Sequence, residues 1–295
     1  MLQIQNKQKG ILSLIILSLL FASMGIFARY LVVFSVLQQV YLRVGVALLL
    51  GYIIFHKDIS FSKIKRIQTR EWILLFLRSL FLYGLAVTFL TVAFIFAKYG
   101  NTTFIGSMPF TAFFGIILLK ERFSLGKTLF IILAFLGAAL IGVRSFSDIF
   151  LWGKGETFAL ISTVCFSLSY IARRWHSSLL NDKEITLLIF FISVVILFLT
   201  SIIAGQGLPV KGWSPFLLLI VVLAGFFNIF TLYLTNYGFK RVETVLASNI
   251  LALESVFGVI IGFLFYAEVL SVKEFIGGIA ILVSVIGMNY LHRKT

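Results

Sequence analysis

The chain has 295 residues, of which 60% are apolar and only 12% charged, and its mean hydropathy is +1.08. A soluble domain carries about 25% charged residues to keep its surface in water, so a soluble fold is excluded. The net charge of +14 comes from Lys and Arg in short connections between apolar runs rather than on one face of a module, which excludes nucleic acid as a partner.

Taken in chain order, the first apolar run follows Lys7 and Lys9, as the core of a signal peptide would. It extends from Ile11 to about Phe34 with no clear small-residue cleavage site after it, so it reads as a retained first helix. Nine more runs follow, and the predicted spans are 11–33, 37–55, 72–96, 102–119, 126–144, 155–174, 185–204, 214–237, 245–266 and 273–291. A helix rises about 1.5 Å per residue, so about 20 residues cross about 30 Å of hydrocarbon. The connections between spans 3 and 4 and between spans 4 and 5 are short, which makes those helices antiparallel neighbours. Cys165, in span 6, is the one cysteine; it makes no internal disulfide and reads as a small core residue.

With the N-terminus placed in the cytoplasm, 17 of the 25 Lys and Arg fall in cytoplasmic segments and 5, including Lys98 and Arg144, in outer loops; Arg29, Arg43 and Arg78 lie inside spans. That bias predicts both termini in the cytoplasm of a multi-pass protein of a bacterial inner membrane.

The chain also repeats itself. A shift of 147 residues carries Phe110 onto Phe257, Gly115 onto Gly262, Glu121 onto Glu268 and Ser124 onto Ser271, and brings the spans of the first half onto those of the second within a few residues. The expected units are residues 1–144 and 145–295. Each holds five spans, an odd number, so the second must be inserted upside down relative to the first. Inverted repeats are a construction seen in secondary transporters. The expected fold class is an all-α polytopic membrane protein with ten transmembrane helices as two inverted five-helix repeats.

Several stretches resemble the drug/metabolite transporter (DMT) superfamily, in particular its EamA-type ten-helix branch. Span 2 reads Tyr41-Leu42-Arg43-Val44-Gly45-Val46-Ala47, span 3 carries Leu77-Arg78-Ser79 and Val92-Ala93-Phe94, and each half ends in a helix–Glu–helix signature, Gly115 to Glu121 and Leu253-Glu254-Ser255-Val256-Phe257 to Glu268. Met108 and Ser255 stand where the family usually has proline. Pro109, one residue on, can kink span 4, whereas span 9 has no proline. The resemblance implies a ten-helix bundle around a central cavity and the export or exchange of small metabolites, often amino acids and related amphiphiles.

The aspartates Asp58, Asp148 and Asp182 fall in loops, and the histidines at span ends. No HExxH motif, phosphate-cradling glycine loop or paired buried carboxylate is present, so no catalytic residue, metal site or cofactor is expected. The informative residues are charges at membrane depth, which cost about 2.5–3.5 kcal/mol at mid-bilayer and must face protein or water. Glu254 is the only acid deep in a span. It reads either as a proton-coupling site or cation contact, or as a structural ion pair with a buried arginine. Arg29, Arg43 and Arg78 can snorkel to an interface or line a cavity; if all three line it with Glu254, the cavity is net positive by two charges and favours a carboxylate or phosphate, which arginine binds as a fork. Asn228 and Asn249 offer amides, or glue between helices. Thr103 and Ser107 offer hydroxyls in span 4, and Tyr83 and Tyr170 aromatic walls. Arg43, Arg78, Tyr83, Thr103, Ser107, Tyr170, Asn228, Asn249 and Glu254 are the expected substrate-binding set. Thr111 with Gly115, and Gly258 with Gly262, read as packing pairs; Glu121 and Glu268 read as carboxylates capping backbone amides at the start of the helix that follows each.

The function expected is a secondary transporter of small organic metabolites, amino-acid-like or otherwise anionic or zwitterionic, exporting or exchanging them by alternating access to a cavity between spans 1, 3, 4, 6, 8 and 9. An importer or antiporter of a nucleoside-like or cofactor metabolite is the alternative within transport; a membrane scaffold or intramembrane enzyme is the alternative outside it. A scaffold predicts Arg43, Arg78 and Glu254 tied up in closed pairs with no polar void beside them. The partners expected are a small-molecule substrate and the lipid bilayer, with a homodimer left open.

Overall fold

The computed structural model describes residues 2–97, 99–121, 124–143, 153–266 and 270–294; Lys98, Arg144, Asp148 and Glu268, named above, lie outside the described residues. Ten helices long and apolar enough to cross a membrane follow one another: α1 (Gln5–Tyr30), α2 (Val36–Asp58), α3 (Thr69–Phe96), α4 (Asn101–Leu119), α5 (Leu125–Gly142), α6 (Lys154–Trp175), α7 (Asp182–Ile203), α8 (Pro215–Arg241), α9 (Thr244–Ile261) and α10 (Val272–Leu291). Among the described residues there is no strand. At α7 and α2 a polar cap explains a start ahead of the apolar run, whereas α3 begins at Thr69 with no side-chain cap. The Asn181 side chain accepts from the amides of Lys183 and Glu184 while Glu184 reaches back to the Asn181 amide, which starts α7 at Asp182. Ser35 and Gln38 form the same reciprocal cap at α2.

The packing shows the two-repeat architecture. The α1–α8 contact is matched by α6–α3, α2–α8 by α7–α3, and α1–α9 by α6–α4, while α2–α7, α4–α9 and α5–α10 pair with their own counterparts. Exchanging each helix with the one five places along therefore maps these six contacts and their counterparts onto themselves. Close approach is bought by small residues, as interhelical packing without a hydrophobic driving force requires. At the α5–α10 seam a Cβ on Gly137 would meet the Gly277 carbonyl at 2.7 Å, and one on Gly277 the Gly137 carbonyl at 2.5 Å. Gly225 lies against Val46 of α2 and Gly238 against Leu14 of α1. Of the expected packing glycines, Gly115 meets Thr244 of α9 at 3.1 Å, but Gly258 meets nothing within 4 Å and is not a packing position.

Three helices are irregular where they cross the middle of the bundle. In α3, Leu80–Val87 is π-helical, a form found mostly as single turns at functional sites. Its loosened backbone is satisfied by hydroxyls: Thr88 donates to the Tyr83 carbonyl at 2.9 Å and Ser162 of α6 to the Ala86 carbonyl at 2.8 Å. The helix of α4 stops at Gly106 and resumes at Phe110, around Pro109, as proline dictates. In α9 the helix breaks at Ala252 without any proline; there the Ala252 amide bonds to the Asn249 carbonyl at 3.3 Å and the Ser255 amide to the Ala252 carbonyl at 3.1 Å. Pro109 is reason to expect a kink only in α4, and the structure has one in each half.

Candidate functional site

The irregular turns converge on a cavity of about 120 Å³, measured as space open to the centre of a water-sized sphere. A single water needs about 10–15 Å³ on that measure, so a small organic molecule fits. The wall comes from α1, α3, α4, α6, α8 and α9, the helices expected, joined by Arg43 of α2. Ala28, Phe94 and Thr102, near the ends of α1, α3 and α4, are part of the wall. At the other end of the bundle, the end carrying the basic connections, wall residues lie at least a turn inside the helices.

Of the expected set, Arg43, Tyr83, Thr103, Ser107, Tyr170, Asn228 and Glu254 share this wall. Arg43, 4% exposed, donates through Nε to the Gln39 carbonyl and through Nη2 to Thr91 Oγ1, both at 3.1 Å. Thr91 is itself fixed by donating to the Val87 carbonyl at 2.8 Å, in the π-helical stretch. The guanidinium is thus aimed without being neutralised. Tyr83 donates to Asn228 Oδ1 at 3.3 Å, and Asn228 to the Ala224 carbonyl at 2.8 Å. Glu254, two residues past the break in α9, has no hydrogen bond or ion pair among the described residues; the ion pair expected as its structural alternative is not formed. Tyr170 lies within electrostatic range of it and stacks on Phe21, Phe166 and Phe239 with ring centroids 6.4, 5.7 and 4.8 Å away.

Arg78 and Asn249, also in the expected set, do not lie on the wall. Arg78 is fully buried, donating to the Ser169 carbonyl at 3.0 Å and to Asn236 Oδ1 at 2.8 Å, and Asn236 in turn donates to Thr186 at 2.9 Å. That chain ties α3, α6, α8 and α7 together. Asn249 accepts from Ser284 of α10 at 3.0 Å, gluing α9 to α10. Arg29 is exposed at the end of α1. Among the described residues, Arg43 and Glu254 are the wall's only Asp, Glu, Lys, Arg or His, and their formal charges sum to zero rather than the positive two expected.

The wall also holds residues that the sequence reading passed over: Thr91, Ser162, Thr163, Ser167, Thr231 and Thr235. The available signal was spacing, since Thr163 with Ser167 and Thr231 with Thr235 are four apart and share a helix face. Each of these four hydroxyls donates to the carbonyl one turn before it; Ser167 is in addition hydrogen-bonded to the Thr111 hydroxyl at 2.8 Å, and the oxygens of the other three keep lone pairs to accept from a ligand.

The basic end is closed by charges. Asp182 bridges Arg173 at 2.5 Å and Arg241 at 2.7 Å, and Lys127 pairs with Glu243 at 2.6 Å. Glu71 accepts from the Ser177 amide at 2.5 Å and lies 2.6 Å from His176 Nδ1; burial, with Arg78 beside it, lowers the His176 imidazole below its ordinary range. Glu121 caps amides as expected, but not those of the next helix. Its two oxygens take the Thr244 and Val245 amides of α9 at 2.8 and 2.9 Å.

Ten helices in two matching halves around a shared polar cavity define a membrane carrier of the two-repeat kind. The model of the EamA-like transporter family matches residues 8–143 and again 153–290, and the chain belongs to that family. It is a multi-pass membrane protein, a transporter of the DMT type. A crystal structure 15% identical in sequence superposes with a TM-score of 0.77 over 97% of this chain and 99% of that one, which shows the fold alone. Comparison with curated proteins gives no match.

Proposed function

We propose that the protein is a secondary transporter of small zwitterionic or anionic metabolites, amino-acid-like in their charged groups, working as an exporter or exchanger by alternating access. The observation that carries this reading is a cavity walled by both halves in which Arg43 and Glu254 stand without a charged partner. Arg43 suits a carboxylate, which a guanidinium holds as a fork; Glu254 suits an ammonium group, or carries a proton when the substrate is absent. The stacked wall of Phe21, Phe166 and Tyr170 favours, as a second reading, a metabolite bearing a flat ring, such as a nucleoside-like compound. The halves 1–144 and 145–295 are the two inverted units, and the basic end faces the cytoplasm of a bacterial inner membrane; the 17-to-5 distribution of Lys and Arg supports that orientation.

Metabolite profiling of cells with and without the protein identifies the substrate, and flux in proteoliposomes then tests the mechanism. Glu254→Gln abolishes the pH dependence of flux; an unchanged pH profile removes the proton role.

A further inference from the structure

We propose that Glu121 is a latch holding the segment Thr244–Leu251 of α9 across the basic end of the cavity, and that Ala252 is the hinge on which this segment moves when the latch releases. This rests on the transport reading, since the segment carries Ser248 and Leu251 of the cavity wall.

A helix leaves its first four amides without partners inside the helix, and a side chain at its own N-cap normally serves them. The N-cap here is Glu243, which makes no capping hydrogen bond and pairs instead with Lys127. The amides of Thr244 and Val245 are served by Glu121, at the far end of α4 and in the other half of the chain. The cap is therefore itself an inter-half contact, beside the Lys127–Glu243 pair, and the segment cannot leave α4 without uncovering the two amides. Two features of α4 bring the carboxylate into place. Gly115 lets Thr244 approach to 3.1 Å of where a Cβ would stand, and Lys120, at φ 54°, turns the chain sharply back before Glu121. At its other end the segment is loosely joined, through the break at Ala252. Glu254 lies two residues beyond that break and on the cavity wall, so a charge bound or released there acts at the hinge. Glu121 is thus a positioning residue, acting through the helix it holds rather than touching substrate.

The test is a distance measurement between spin labels at Leu125, exposed at the start of α5, and at Ser248, half-buried on the cavity side of the moving segment, in a Cys165→Ala background. The unsubstituted latch gives one short separation. Glu121→Gln keeps the shape but turns one acceptor into a donor facing an amide. Thr244→Pro deletes one of the two amides at the first helical position, where proline is tolerated. Both variants add a second, longer separation. If Glu121→Gln does not fold, Thr244→Pro decides alone, and a single short separation in it overturns the latch. Hydrogen exchange on the unsubstituted protein gives an answer without any variant: residues 244–251 exchange faster than 253–260 because the segment opens as a unit, and equal protection overturns the hinge. Neither measurement needs a substrate. A protein that shows the second separation but moves no metabolite keeps the latch and loses the transport reading.

Discussion

Arg43 and Arg78 sit at comparable depths in neighbouring spans, yet their surroundings give them different work. The Arg43 guanidinium is held by a carbonyl and a hydroxyl and faces the cavity, whereas Arg78 is enclosed by Ser169 and Asn236. A hydrogen bond to a charged group contributes about 1.5–3 kcal/mol. Arg43→Gln is therefore expected to weaken binding of a carboxylate-bearing substrate about 10- to 100-fold, read as a raised half-saturation concentration in proteoliposomes; unchanged affinity would sink its role as the carboxylate contact. The depth of both arginines was legible in the sequence, because charge inside an apolar run is conspicuous. Which of them reaches the cavity was not, since that depends on Asn236 and Ser169, more than 90 residues away along the chain. For the same reason the competition of three arginines for one acid, expected from the sequence, dissolves once Arg43 and Arg78 find neutral partners and Arg29 is exposed at the end of α1.

At the scale of the helix, the α5–α10 seam and the broken helices divide the labour. The carbonyls at Gly137 and Gly277 stand where each other's Cβ would be, so Gly277→Val forces the two helices apart. Overpacking of this kind costs about 1–3 kcal/mol, seen as a lowered melting temperature in detergent; an unaltered melting temperature would show that the seam is not close-packed. The number and order of the helices could be read from apolar runs, and at α7 the start was displaced because the Asn181 cap extends the helix beyond the run. The kink in α4 was legible from Pro109. The break in α9 was not, because Ala252 carries no local signal, and neither was the π-helical stretch of α3, whose stabilising partner Ser162 comes from α6.

For the whole molecule, the contacts of the two halves interchange, and that regularity follows from five spans per half in an alternating chain. The orientation of the bundle is open to direct measurement. Ser62 and Ser178 are exposed at the basic end, and cysteines placed there in a Cys165→Ala background are expected to react with an impermeant reagent only when the cytoplasmic face is accessible; labelling in intact cells would reverse the bundle.

The neutrality of the cavity wall has an electrical consequence. A zwitterion entering between Arg43 and Glu254 adds no net charge, so on the proposed reading the only charge carried across in a cycle is the proton on Glu254. Each such proton is worth about 2.3 kcal/mol per 100 mV of membrane potential. Movement of an uncharged cargo would then register as a current, and the voltage across the membrane, as much as the pH difference, would set how far the cargo is concentrated.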